Sequence, residues 1–146
     1  MLTFDINMDS LNAQLDQIAT KAQKAARIGA KAGAAVYYDA VKATTPVSEH
    51  GHWFHGTSFK KSGTKYWFES GSLKNAVYQA YRKESTLNSP MYQIAWNHRK
   101  VPYGFMVVGG TKKGAKANDF IGKAKSSVAS QANAEMLFQF ELVMSK

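Results

Sequence analysis

Residues 9–46 read DSLNAQLDQIATKAQKAARIGAKAGAAVYYDAVKATTP, and the period of this stretch decides the fold. Apolar or small residues recur at Leu11, Leu15, Ile18, Ala22, Ala25, Gly29, Ala32, Val36, Ala40 and Ala43, in steps of three or four. That spacing keeps them on one face of an α-helix. Asp9 or Ser10 offers a side-chain cap for its start. Pro46 sets its end, because proline disfavours helical geometry in the residue before it. At 1.5 Å per residue such a helix spans on the order of 50 Å, more than one small domain requires for its own core.

The middle of this face is alanine and glycine, which lets another backbone approach closely. Gly29 and Gly33 each cost about 1 kcal/mol of helix propensity relative to alanine, so a bend or a close contact is expected there. Lys21, Lys24, Arg27 and Lys31 form a separate cationic stripe. Such a stripe suits proximity to nucleic-acid phosphates, and equally suits a plain solvated helix face.

Before the helix, Leu2, Phe4 and Ile6 alternate with polar residues, as in a short strand or a docked arm. After it, residues 47–71 are rich in Gly, Ser, Thr and His, with glycines at 51, 56, 63 and 71. We read a long loop or hairpin excursion there, with residues 65–69 (KYWFE) as a strand. Trp53, Phe54, Phe59, Tyr66, Trp67 and Phe68 are too many aromatics for a freely solvated loop. They are anchors for the domain's own core or for a neighbouring subunit. Ser72 then caps a short helical turn over 73–76, and strands follow over 77–82 and 91–97, separated by a polar turn closed at Ser89-Pro90.

Residues 101–124 (VPYGFMVVGGTKKGAKANDFIGKA) carry the chain from this sheet into a last helix capped by Asp119. Ile121, Ala124, Val128, Ala132, Met136 and Phe140 repeat on its face. Its final residues, MLFQFELVM, also alternate like a strand but contain no breaker and are read as helix. The expectation is one α+β domain over residues 1–146, with a long helix at 9–44, the excursion at 47–71, a sheet region at 72–111 and a C-terminal helix at 119–144. Both helices pack on a small, mostly antiparallel sheet.

A net charge of +9 favours an acidic partner, nucleic acid first. There is no cysteine, which excludes disulfides, thiolate metal sites and a cysteine nucleophile. The N-terminus lacks a basic flank followed by an apolar run, so no secretory signal is read, and no apolar run suggests a membrane span. Glu49, His50, His52 and His55 offer zinc-type donors, but without a helical HExxH spacing to preset them a polar interface loop is the better reading. Ser70 and Ser72 lack a GxSxG elbow, and residues 109–114 (GGTKKG) lack the phosphate-loop order. No catalytic constellation or cofactor motif emerges. Lys112, Lys113 and Lys116 cluster around a glycine turn and can neutralise phosphates without reading bases.

The order of segments resembles the tail-completion, or head–tail joining, proteins of long-tailed lambda-like phages, often labelled minor tail components. The residues that carry it are the alanine-rich Ala22–Ala43, Thr45-Pro46-Val47, Gly71-Ser72-Leu73, Val101-Pro102-Tyr103-Gly104, Gly110-Thr111 and Asp119-Phe120-Ile121. Two positions depart from the family pattern. Val107-Val108-Gly109 stands where a glutamate usually precedes Gly-Thr, and Asp119 stands where a proline usually precedes the phenylalanine. The resemblance implies a non-enzymatic virion protein of the neck or tail top, assembled in the host cytoplasm. Its expected partners are copies of itself in a ring of six, with twelve as the alternative, neighbouring neck or tail-tube proteins, and the genomic DNA in the channel, with no membrane. Trp53, Phe54, Phe59, Tyr66 and Trp67 are then subunit contacts, and Lys21, Lys24, Arg27, Lys31, Lys112, Lys113 and Lys116 supply channel electrostatics. The competing readings are a small basic DNA-binding or architectural protein acting outside a virion, and a histidine-site metalloenzyme.

Overall fold

A computed structural model describes Thr3 and residues 7–146; the alternation at Leu2, Phe4 and Ile6 falls outside the described residues. The long helix forms as its period dictates: α1 runs Met8–Thr44 without interruption. Its cap lies earlier than the sequence suggests. Asn7, not Asp9 or Ser10, accepts the Ser10 backbone N–H at 3.1 Å. At the other end, Thr45 is extended and buried, and its hydroxyl donates to the Val41 carbonyl at 2.6 Å.

The last helix, α5, runs Phe120–Met144, so the strand-like alternation near its end does not win. Asp119 caps it as expected, its carboxylate accepting the Gly122 N–H at 2.9 Å. Three contacts fix how α1 and α5 pack. The Thr44 hydroxyl donates to the Phe120 carbonyl at 2.9 Å, Gly33 faces Ala132, and Gly29 faces Met136. Residue numbers fall along α1 as they rise along α5, so the helices are antiparallel. Followed for the eight residues from Met136 to Met144, this register brings α5 to its end level with Lys21. Everything in α1 before that point overhangs, and Met8 to Thr20 are all exposed.

The excursion is structured. β1 (His52–Phe54) and β2 (Tyr66–Phe68) pair antiparallel, with a short helix, α2 (Thr57–Ser62), in the connection. A single turn, α3 (Ser72–Asn75), leads into β3 (Val77–Tyr81), which pairs antiparallel with β4 (Tyr92–Trp96). The α+β expectation holds, with the strands among the described residues arranged as two separate hairpins. β3–β4 lies along α1. Val77 joins Val41 in the core, the Arg27 guanidinium sits 4.6 Å from the centre of the Tyr81 ring, and Gln23 bonds Asn88 of the turn at 2.9 Å.

This lengthwise packing corrects the single-face reading of α1. Ala25, Gly29 and Gly33 are buried, but so are Ala34 and Val41, which lie around the cylinder from them, whereas Ala43 is exposed. The second half of α1 is covered on two sides, and one periodic stripe describes only one of them. The stretch expected to complete the sheet region also differs. Residues Gly104–Gly109 form a short helix, α4, in which the Met106 N–H donates to the Tyr103 carbonyl at 2.9 Å. Gly104 is buried with its Cα against the Trp96 indole, leaving no room for a β-carbon. The apolar run turns there and folds Val107 and Val108 onto the core. That core is Val41, Leu73, Val77, Val101, Phe120 and Ala124, gathered at the C-terminal end of α1.

Candidate functional site

The β1–β2 hairpin sits at that end of the molecule, and its alternation sorts the aromatic residues into two sets. His52, Phe54, Tyr66 and Phe68 share one face by register. Three of them converge on Tyr103: His52 edge-on at 4.7 Å between ring centres, Phe68 at 5.0 Å and Phe54 at 6.2 Å. Burial in this cluster pushes the Tyr103 hydroxyl pKa up, with a hydrogen bond from the Leu73 backbone pulling the other way. The sequence does not single Tyr103 out as a site residue. Its signal is only the Pro-Tyr-Gly order, which does not show that three rings meet it.

The opposite face carries Trp53 and Trp67, directly paired across the strands with ring centres 5.2 Å apart in an edge-to-face arrangement. Both are about half exposed. The Lys65 ammonium lies 4.5 Å from the centre of the Trp53 ring, and the Trp67 indole N–H donates to Glu69 at 2.6 Å. Gly51 lies under the Trp67 indole where a β-carbon would collide with the ring. Phe59 on α2 and Tyr66 are also exposed. Gly63, at φ 71°, ends α2 in the left-handed conformation that lets the chain turn back into β2. Of the five residues expected at a subunit interface, Trp53 and Trp67 therefore lie on the outward face, while Phe59 and Tyr66 are exposed, Tyr66 at the edge of the face that Phe54 shares. Phe54 does not: it is half-buried against Phe68 and Tyr103 and belongs to the chain's own packing.

The histidines take part in the same packing. His52 lies against Tyr103 and His55 against Phe59 at 4.4 Å. Among the described residues, no group of three or more His, Cys, Asp or Glu side chains is placed to hold a metal ion.

The cationic residues fall into two separate groups. Lys24, Arg27 and Lys31 are exposed and Lys21 is half-buried, all on α1 beside or beyond β3–β4. Lys112, Lys113 and Lys116 are exposed on the connection between α4 and α5. That connection is a hydrogen-bonded turn, not a loose loop. Thr111 N–H donates to the Ala115 carbonyl at 2.9 Å, Gly114 N–H to the Thr111 carbonyl at 3.2 Å, and Asn118 N–H to the Val107 carbonyl at 2.8 Å. Gly110 at φ 71° and Gly114 at φ 109° supply the two left-handed positions it needs. Because Phe120 meets Thr44, this turn lies at the end of α1, thirteen residues or roughly 20 Å beyond Lys31. The two groups do not merge into one patch. Between the hairpin root and the turn lies a cleft of about 460 Å³ lined by His52, Leu73, Tyr103, Val107, Thr111 and Lys116.

At the far end of the molecule, Met8, Leu11, Leu15 and Ile18 are exposed on the overhang of α1. The periodic reading places the last three on the same face as Ala25 and Gly29. A signal to separate them is present: the seam changes from leucine and isoleucine to alanine and glycine at Ala22, as a face meeting two different partners would.

Residues 9–77, just under half of the chain, match the family model HK97-gp10_like, described as "Bacteriophage HK97-gp10, putative tail-component". No curated protein and no solved structure matches the chain. The matched segment takes in nearly all of α1, the whole β1–β2 hairpin and α3, ending on the first residue of β3. The match supports a structural protein of the phage tail type, associated with the virion.

Proposed function

We propose that the protein is a ring-forming component of the neck or tail top of a tailed phage, joining head and tail around the DNA channel, and that it works by assembly without catalysis. The family match over residues 9–77 carries this reading. The surface supports it. Among the described residues, eighteen large hydrophobic side chains are exposed against nine buried hydrophobic ones, and several of the exposed ones are grouped on the hairpin and the helix overhang. Grouped exposure of this kind marks surfaces that are covered in an assembly. Trp53, Phe59, Tyr66 and Trp67 are the subunit contacts. Lys112, Lys113 and Lys116, held on an ordered turn, and the α1 stripe from Lys21 to Lys31 provide sequence-independent attraction for DNA phosphates. The ring has six copies, with twelve as the alternative, and it meets neighbouring neck or tail-tube proteins above and below.

Gold-labelled antibody against the chain, applied to intact particles and seen by electron microscopy, tests the location. Label at the head–tail junction is expected. Label confined to the distal tail, or none on particles that contain the protein in their mass spectrum, contradicts the placement.

A further inference from the structure

We infer that the overhang of α1 docks on the outer face of the β1–β2 hairpin of a second copy of the chain, a head-to-tail contact that rests on the ring reading above and specifies its two faces. The donor surface is the stripe Met8, Leu11, Leu15 and Ile18, with 55%, 41%, 53% and 56% of each residue exposed. The stripe continues the line of Ala25 and Gly29, which α5 covers, but α5 ends before reaching it. The charged residues on this segment, Met8 to Thr20, are Asp9 and Asp16, so the overhang is acidic on a chain whose net charge is +9.

The receiving surface has the opposite character. From His52 to Phe68 the charged residues are Lys60, Lys61 and Lys65, and the exposed aromatics of the outer face are Trp53 and Trp67, with the Lys65 ammonium against Trp53. The nearest acid, Glu69, is already engaged by the Trp67 indole. The leucine–isoleucine stripe complements the aromatic floor in polarity, while Asp9 and Asp16, set by the helical period on the other side of α1 from the stripe, give the overhang a net negative charge that attracts the basic hairpin at longer range.

Position decides between contact within one copy and contact between copies. The hairpin follows the C-terminal end of α1, and its root packs on Tyr103 beside the core around Val41. Ile18 lies 27 residues before Thr45, roughly 40 Å away along a continuous helix. One copy cannot bring its own two faces together. Each copy instead offers one donor end and one receiver end, the heterologous arrangement that closes into a ring when the rotation allows. Pairing of two overhangs is the weaker alternative. Met8 to Ile18 spans fewer than two heptads, short of the three or four of a sustained coiled coil, and both partners would be acidic.

Complementation between full-length variants tests this. L11S/L15S/I18S removes the donor stripe, and K60E/K61E/K65E reverses the receiver charge while keeping both tryptophans. All six positions are exposed, and circular dichroism checks that helix content is retained. The expected result is that each variant alone self-associates roughly 100-fold more weakly than the parent and elutes as a monomer. An equimolar mixture should form one-to-one pairs and nothing larger, because the intact donor of the charge-reversed copy meets the intact receiver of the other only once. Assembly of the parent together with unchanged assembly of L11S/L15S/I18S overturns the inference and leaves the ring reading standing. Assembly of K60E/K61E/K65E as strong as the parent's also overturns it, since Lys65 lies against Trp53 on the receiving face. A parent that stays at its 16.1 kDa monomer mass at every concentration overturns both.

Discussion

Gly29 of α1 lies against the backbone carbonyl of Met136 on α5, so closely that a β-carbon on Gly29 would sit 2.7 Å from that oxygen. Gly33 repeats the contact one turn on, where the β-carbon would be 3.3 Å from the Ala132 carbonyl. The two glycines set the spacing of the helix pair, and with it the placement of the core at one end and the overhang at the other.

Replacing Gly29 with valine forces backbone against side chain, and the helices must separate. The expected cost is about 1–3 kcal/mol, as for an overpacked core, despite the gain in helix propensity. Gly109, at the end of α4, is the control, since a β-carbon there would meet nothing within 4 Å. G109A should be neutral or stabilise by up to about 1 kcal/mol. Urea midpoints of the two variants check the pair.

Asp119 caps α5 through the Gly122 N–H. D119A should cost about 1 kcal/mol, whereas D119N keeps an acceptor and should cost no more than a few tenths. No loss for either variant in thermal unfolding would mean that the cap contributes nothing.

Arg82 and Glu84 form an exposed pair, with Nη2 to Oε1 at 2.9 Å and Nε to Oε2 at 3.0 Å. The hydrogen bond from Arg82, then a backbone hydrogen bond and the guanidinium charge, hold the Glu84 carboxyl at about 2, below its ordinary 4.5. A depressed folded value means that the contribution is fully present above about pH 4.5 and is lost as pH falls through about 2. A carbon-13 titration of Glu84 should show the low midpoint, and R82A should move it back towards 4.5. Because both side chains are open to solvent, the effect on global stability should be small.

Much of this architecture is legible in the sequence, and the failures have specific causes. α1 is clear because no breaker interrupts its period before Pro46, and α5 because Asp119 supplies a cap. The β3–β4 pairing follows from alternation on either side of a polar turn. The burial pattern of α1 is only partly legible. A repeat shows that residues share a face, but not that a second element covers Ala34 and Val41, nor that the first covering element ends level with Lys21. The helix at Gly104–Gly109 is hidden because Phe105, Val107 and Val108 favour strand locally, whereas the need to seat Gly104 under Trp96 is a long-range requirement. In the hairpin, Phe54 and Trp53 are adjacent and equally aromatic. Only the strand register separates the one that packs on Tyr103 from the one that faces outward.

Replacing Lys112, Lys113 and Lys116 with alanine should lower the slope of log affinity against log salt for duplex DNA by roughly 2 to 3, close to one unit for each phosphate left unneutralised. The effect should not depend on DNA sequence, since these residues stand on a turn that presents charge and no base-reading element. An unchanged slope would remove this turn from the DNA-facing surface.

The role proposed for this chain is that of a subunit in a closed ring. Mass by multi-angle light scattering, read with negative-stain images of the same fractions, tests it most directly. The predicted result is a discrete species of about six times the 16.1 kDa chain mass, or twelve times, seen as rings with a central channel. A monodisperse 16.1 kDa monomer at all concentrations, with no rings in the images, would contradict it.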